Sequence, residues 1–161
     1  MNKVLMLFLS VVLLASCESN IVFSETRAMD GYWGQDEVVD FKLPQLDSLK
    51  NYNLFVNIRN SNEYKYNNIF LIVSINFPYG KTVTDTLEYR MANPDGSWMG
   101  QGVGSIKENK LWYKENVRFF ENGIYNVTIE QAMRNNGAVE GVLKLEGITD
   151  VGLSIEESTN L

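Results

Sequence analysis

Apolar and polar residues alternate in several short stretches, which recur about every ten to fifteen positions along the chain. In segment 52–59 the alternation places Leu54, Val56 and Ile58 on one face. Phe55 is the lone large apolar residue on the other face. A period of two is typical of a half-buried β-strand, so this segment is predicted to be one.

Other segments extend the predicted set of strands. Segments 81–91 and 123–133 alternate in the same way, whereas 69–73 is apolar at every position. A continuous apolar run of this length predicts a central strand that is buried on both faces. No long 3.6-residue period appears, and a helical turn or two fits only at 45–50, where two leucines are three residues apart.

Turn residues separate these strands. The Asn-Pro-Asp-Gly run at 93–96 is a strong turn signal, because proline presets φ and glycine accepts a positive φ. The Glu-Asn-Gly run at 121–123 predicts a hairpin that pairs the strand before it with the strand after it. We therefore expect an all-β fold over residues 30–161, a single antiparallel β-sandwich of jelly-roll or immunoglobulin-like type with about 7–9 strands.

The N-terminus has the pattern of a secretory leader. An apolar run from Val4 to Leu14 follows Lys3, and small residues precede Cys17. A basic start, a short apolar stretch and small residues at the cleavage point are typical of a signal peptide, here predicted as 1–16. The run is too short to cross the ~30 Å hydrocarbon core as a permanent helix.

The Leu-Ala-Ser-Cys run at 14–17 is also the lipobox pattern of bacterial lipoproteins. In that pattern the Cys17 thiol is diacylated, and after cleavage Cys17 becomes the lipid-bearing N-terminus. Cys17 is the only cysteine, so no intrachain disulfide can form. A leader with an incidental cysteine is the alternative, which the position and the upstream residues disfavour. A diacyl group with a further amide-linked chain suffices for stable anchoring, and residues 17–29 are predicted to be the tether.

Composition and charge limit the kinds of partner that the protein can bind. Hydrophobic residues make up 45% of the chain and aromatic residues 12%, enough for a sizeable core. Lys3 leaves with the leader, and 13 basic residues then face 20 acidic ones, a formal charge of −7. An acidic protein does not favour phosphate backbones or anionic headgroups, so we expect no nucleic acid as partner and membrane contact through the lipid.

The residue types present limit catalysis. The chain has no histidine, and its one cysteine is assigned to the anchor, which excludes Ser-His-Asp and Cys-His mechanisms and the usual zinc ligands. Two pairs of carboxylates, Asp85 with Glu88 and Glu108 with Glu115, could act as glycosidases use theirs. A solvated strand face is the simpler interpretation of these residues. We therefore predict no enzyme, no catalytic residue, no cofactor and no metal.

Two further patterns have structural explanations. Gly100, Gly102 and Gly104 lack the lysine and the spacing of a phosphate-binding loop, and they predict a bulged or closely packed strand. Asp95 and Asp150 are loop candidates for calcium, but no EF-hand spacing exists, and turn chemistry is the simpler explanation of both residues.

Four aromatic residues are candidates for binding a ligand. Trp33, Trp98, Trp112 and Tyr113 could stack against a carbohydrate, although aromatic side chains of a β-sandwich are more often core. A lipid-anchored, glycan-binding module is therefore the alternative function.

The order of several motifs resembles one family, the GldH gliding motility-associated lipoproteins. The similarity covers nearly the whole mature chain, together with the leader and the overall length. The motifs that carry it are Tyr52-Asn-Leu-Phe-Val-Asn-Ile-Arg-Asn60, Tyr66-Asn-Asn-Ile-Phe70, Asp85-Thr-Leu-Glu-Tyr89, Gly96-Ser-Trp-Met-Gly-Gln-Gly102 and Gly147-Ile-Thr-Asp-Val-Gly-Leu-Ser-Ile155.

The resemblance implies a membrane-attached lipoprotein needed for surface gliding and associated with type IX secretion. It implies no catalytic residue, and only Cys17 transfers as a functional position. We therefore expect a non-enzymatic accessory or assembly component of an envelope machine, with other envelope proteins as partners. Glu18 is the one acidic residue at 18–21, where surface-exported lipoproteins of related bacteria tend to carry several, so we expect a periplasm-facing anchor.

Overall fold

The computed structural model describes residues 20–158, and in this part of the chain all regular structure is β. The all-β prediction is confirmed, with ten strands rather than 7–9, because two three-residue strands add to the longer ones. The strands are β1 (Ile21–Ala28), β2 (Tyr32–Gly34), β3 (Val39–Lys42), β4 (Tyr52–Asn60), β5 (Asn68–Asn76), β6 (Thr82–Arg90), β7 (Lys107–Val117), β8 (Asn126–Gln131), β9 (Lys144–Glu146) and β10 (Ile148–Glu157).

The strands form two four-stranded sheets and one two-stranded sheet. The first sheet has the order β1-β10-β4-β7 and the second has the order β3-β8-β5-β6. β2 pairs with β9. Every pairing is antiparallel, as predicted.

One hydrophobic core takes side chains from both four-stranded sheets. The predicted inward face of β4 is confirmed, because Leu54, Val56 and Ile58 are fully buried. For β5 the predicted central position is confirmed, but the predicted burial of both faces is wrong. The buried positions of β5 alternate with half-buried ones such as Phe70 and Ile72, so one face enters the core and the other is partly covered.

The hairpin predicted at 121–123 is wrong. β7 belongs to the first sheet and β8 to the second, so the connection crosses between sheets. Phe119 and Tyr125 are buried within this connection, with ring centroids 4.8 Å apart in an edge-to-face arrangement. Burial of two aromatic side chains outweighs the local preference of Asn-Gly for a tight hairpin.

Two other local predictions also change. Segment 45–50 contains no helix; instead the Asp47 carboxylate accepts a hydrogen bond from the Leu49 N–H at 2.9 Å, which forms an Asx turn. Most of the segment predicted as a tether, 17–29, belongs to the domain, because Ile21–Ala28 forms β1 and pairs with β10. Most side chains of β1 are exposed, so backbone pairing rather than an apolar period makes it a strand.

Candidate functional site

The predicted leader 1–16 and Cys17 lie outside the described residues, which begin at Asn20. The Asn20 carbonyl accepts a hydrogen bond from the Glu157 N–H at 2.8 Å, so the chain enters the domain beside the end of β10. Cys17 is three residues before Asn20, a reach of at most about 11 Å. A lipid on Cys17 would therefore lie close to this end of the domain.

Within the described residues, no helix has the length and apolar character needed to cross a bilayer.

Two of the four candidate aromatic residues are held inside the domain or against its loops. Trp33 on β2 is fully buried, and its Nε1 donates to the Glu37 carbonyl at 2.8 Å. Trp98 is half-buried, and its Nε1 donates to Asn62 Oδ1 at 3.1 Å. Trp33 therefore offers no ring face to a ligand in this structure.

Trp112 and Tyr113 follow each other on β7 but have different surroundings. Trp112 is 52% exposed and packs on Phe55, with ring centroids 4.4 Å apart. Lys110 Nζ lies 4.1 Å from the centroid of the same Phe55 ring. Tyr113 is half-buried and points towards the second sheet. No two of the four candidate rings stack on each other in residues 20–158, so they do not form one platform.

A polar cluster joins the edge strands of the two sheets. We call Asp85, Tyr89, Trp112, Tyr113 and Lys114 the inter-sheet cluster. Tyr113 Oη donates to Asp85 Oδ2 at 3.0 Å, and Lys114 Nζ lies 2.7 Å from the same oxygen. Tyr89 Oη donates to the Trp112 carbonyl at 2.5 Å. β6 and β7 are thus tied together by side chains rather than by a backbone ladder.

A bulge explains how consecutive residues of β7 reach the same carboxylate. The register with β4 shifts between Leu54 and Phe55, so that Lys114 lies opposite Leu54 and Trp112 opposite Phe55. The extra residue is Tyr113. In a regular strand Tyr113 and Lys114 would point to opposite faces, and the bulge removes that constraint.

The inter-sheet cluster shifts the ionisation of its members. The hydrogen bond from Lys114 holds the pKa of Asp85 below its usual value. Burial, followed by the hydrogen bond to Asp85, raises the pKa of Tyr113 well above its usual value. Burial, followed by the charge of Asp85, raises the pKa of Tyr89 to about 12. The folded cluster therefore favours an ionised aspartate beside two neutral phenols.

These shifts predict a loss of stability in alkali. Both tyrosines have a folded pKa above the unfolded value of about 10, so their contribution is complete below pH ~10 and is lost as pH rises through the folded pKa. The free energy of unfolding, measured by denaturant titration from pH 8 to pH 12, should fall above pH 10. The Tyr113→Phe variant should show a shallower fall. If the free energy of unfolding fell equally in the natural chain and the variant, Tyr113 would not be a source of the loss in alkali.

The candidate carboxylate pairs are not brought together. Asp85 and Glu88 lie three residues apart on β6 and so project from opposite faces, and Glu88 accepts a hydrogen bond from Asn68 at 2.7 Å. Glu108 pairs with Arg59 at 2.8 Å and lies seven residues from Glu115 on β7, about 23 Å along a strand. Neither pair has the spacing of a glycosidase.

The two aspartates considered for calcium binding each take part in a separate local contact. The Asp95 carboxylate accepts hydrogen bonds from the Ser97 N–H at 2.9 Å and the Ser97 hydroxyl at 2.6 Å, and these bonds lower the pKa of Asp95. Asp150 lies in β10 and accepts a bond from Thr149. Within residues 20–158, no group of three acidic side chains has the geometry to hold a metal ion.

The strand predicted at Gly100, Gly102 and Gly104 is wrong, because these residues lie in the loop between β6 and β7, but the backbone is closely packed at two of them. A Cβ on Gly100 would lie 2.8 Å from both the Asn109 side chain and the Glu108 carbonyl, and one on Gly102 would lie 2.6 Å from the Ile106 carbonyl. Beside this contact is an open cleft of ≈ 680 Å³, which the sequence did not indicate. Its lining residues are Arg90, Met99, Gly100, Gln101, Gly102, Glu108, Asn109, Lys110 and Leu111. They bring no nucleophile and base together, so the cleft supports no catalytic assignment.

Comparison with known proteins gives a family. Residues 21–155 match the sequence profile of the GldH lipoproteins, a range that runs from β1 to β10. The gliding motility lipoprotein GldH of Flavobacterium johnsoniae is 55% identical over 151 residues, which are 94% of each chain. The gliding motility lipoprotein GldH homolog of Christiangramia forsetii is 52% identical over 158 residues, which are 98% of this chain and 97% of its own.

One solved structure, of the infectious bursal disease virus Gx strain, aligns with 91% of this chain and 34% of its own. Its TM-score is 0.29 and its identity 8%, values at which the similarity carries no argument about fold or function. The family profile and the two relatives agree over almost the whole length, and the chain belongs to the GldH lipoprotein family.

Proposed function

We propose that this chain is a lipoprotein anchored to an envelope membrane through Cys17, facing the periplasm, and that it acts without catalysis as an accessory or assembly component of the gliding machinery and its associated type IX secretion. The observation that carries the proposal is membership of the GldH lipoprotein family over residues 21–155. The lipobox at 14–17 supports the anchor.

The chemistry of the described residues supports a holding role rather than a reaction. The chain lacks histidine, and the carboxylates that could have served as a pair project apart or form ion pairs with basic residues. We also propose that the two four-stranded sheets form a β-sandwich around their common core. Such a body offers end loops and strand edges for contact with other envelope proteins.

The Cys17→Ala variant tests the anchor. The natural chain should incorporate radiolabelled fatty acid and sediment with membranes, whereas the variant should be unlabelled and should lose membrane attachment, because no other cysteine can take the lipid. Met99→Ala, which alters an exposed loop residue, is the control and should behave as the natural chain. An unlabelled natural chain, free in the medium, would overturn the proposal.

The role in motility is tested separately. A Flavobacterium johnsoniae strain that lacks its own GldH should regain surface spreading when it expresses this chain, and should not regain it with Cys17→Ala. Pull-down of the acylated chain from those envelopes should recover motility or secretion proteins. If the chain were acylated but neither restored spreading nor recovered partners, the proposed anchor would stand and the proposed assembly role would be rejected.

A further inference from the structure

Exposed apolar side chains lie on loops at both ends of the domain, including Val103, Val139 and Leu143 at one end, and only the other end also receives the N-terminus. The loops 43–51, 77–81 and 118–125 lie at the end where β1 begins and β10 ends. Their most exposed apolar residues are Leu49 at 83%, Tyr79 at 73%, Phe120 at 70% and Ile124 at 65%. Single exposed apolar residues are ordinary, but several on adjoining loops indicate a contact surface. We call these three loops, with residues 20 and 158, the anchor end.

Hydrogen bonds hold the three loops to one another. The Tyr79 N–H donates to Glu121 Oε2 at 2.9 Å, which joins the turn 77–81 to the loop 118–125. Arg118 Nε donates to Asn51 Oδ1 at 2.6 Å, which joins that loop to the end of 43–51. The exposed apolar side chains of the three loops therefore lie on one connected surface rather than on independent loops.

The N-terminus of the domain lies at the same surface. Asn20 is hydrogen-bonded to Glu157, Glu157 forms an ion pair with Lys50 at 2.8 Å, and Lys50 is next to Leu49. Cys17 is only three residues before Asn20, at most about 11 Å of chain. A lipid on Cys17 would place the bilayer within reach of these loops and would make their contact with it an intramolecular event.

The chemistry of the surface suits a membrane interface. Tyr is favoured at headgroup depth, where its ring is apolar and its hydroxyl is polar, and Leu and Phe are typical of the apolar face that interfacial segments bury at the headgroup boundary. Basic side chains at the anchor end include Lys81, whose Nζ lies 5.1 Å from the centroid of the Phe77 ring, and Arg118. Acidic residues there include Glu121, which accepts the Tyr79 N–H, and Glu157, which is paired with Lys50. Attraction would thus come mainly from apolar burial.

We propose that the anchor end rests on the lipid bilayer, with Leu49, Tyr79, Phe120 and Ile124 in the interfacial layer. This inference depends on the acylation of Cys17 in the proposed function. It sets the orientation of the domain. The long strands would extend from the membrane surface into the aqueous space. The loops at their other ends, including 91–106 and 132–143, would lie about 30 Å from the membrane, which is the length of a nine-residue strand.

Single-cysteine probes test this orientation. The acylated mature chain, whose own thiol is blocked by lipid, is reconstituted into vesicles of phosphatidylethanolamine and phosphatidylglycerol that contain a quencher-bearing lipid. A fluorophore is attached at Leu49→Cys or Phe120→Cys. The controls are Val139→Cys and Leu143→Cys, whose native residues are equally exposed, at 86% and 74%, on the loop 132–143. The lipid quencher should reduce fluorescence several-fold more at 49 and 120 than at 139 and 143.

The outcomes separate this inference from the acylation on which it depends. A chain that does not float with the vesicles is not acylated, and both proposals then fail. A chain that floats but shows equal quenching at all four positions overturns the orientation alone. Blue-shifted emission at 49 and 120 without quenching by lipid would indicate a second copy or another protein on this surface, and would also overturn it.

A second set of variants tests the orientation with the fluorophore at a different position, so that the result does not depend on labelling at 49 or 120. Leu49→Asp combined with Phe120→Asp should leave flotation unchanged and should reduce quenching of a probe at Ile124→Cys. Val139→Asp combined with Leu143→Asp should leave that quenching unchanged. Unaltered quenching in the first pair would contradict the inference.

Discussion

The Gly147→Ala variant is expected to lose about 2–5 kcal/mol of its free energy of unfolding, a large part of the ~5–15 kcal/mol of an ordinary domain. Gly147 lies between β9 and β10 with φ at +82°, a conformation that costs other residues about 1–2 kcal/mol. A Cβ would also lie 2.1 Å from the Tyr64 backbone nitrogen. Backbone shifts of this kind cost ~1–3 kcal/mol more.

The chain contains a matched control for this prediction. Gly137 has a φ of +79°, but a Cβ there would meet nothing within 4 Å. Gly137→Ala should therefore cost only the ~1–2 kcal/mol of the backbone conformation. Denaturant titration of both variants measures the difference, which reports the contact with Tyr64. Equal losses in the two variants would show that the close approach to Tyr64 has no energetic weight.

Replacement of Trp33 by alanine should cost about 3–5 kcal/mol, the range for large aromatic residues removed from a core. Trp33 is fully buried and lies opposite the fully buried Leu145 in the β2–β9 pair. Its loss would leave a cavity beneath this pair and would remove the indole donor of the Glu37 carbonyl.

Trp112→Ala is the control for Trp33→Ala. Trp112 is half-exposed and packs mainly on Phe55, so about 1 kcal/mol is expected, as for a single aromatic pair. Denaturant midpoints of the two variants test the difference. Comparable losses would mean that Trp112 is structurally as important as Trp33. A small loss for Trp33 alone would contradict its place in the core.

Strands with one fully buried face could be predicted from the sequence. In β4 the alternation follows directly from burial, because Leu54, Val56 and Ile58 all enter the core. β1 has no such period, since its side chains are mostly exposed and its place in the sheet depends on pairing with β10, a partner more than a hundred residues away. Local patterns carry no information about such a partner.

Long-range contacts also explain the other differences. Asn122-Gly123 favours a hairpin locally, but burial of Phe119 and Tyr125 carries the chain to the other sheet. The inter-sheet cluster depends on a bulge at Tyr113, which the sequence does not mark. The spacing of Leu46 and Leu49 predicts a helical turn, whereas the structure places Leu49 in an exposed non-helical turn.

The pairing of β1 with β10 means that the first sheet needs both ends of the domain before it can close. Under the export proposed above, β1 would cross first and would meet β10 only after the last strand had crossed, so the first sheet could not close on a partly translocated chain. Pairings between distant segments form slowly. The first sheet would thus stay incomplete until β10 was available, and truncation before β10 would leave both β1 and β4 without their shared neighbour.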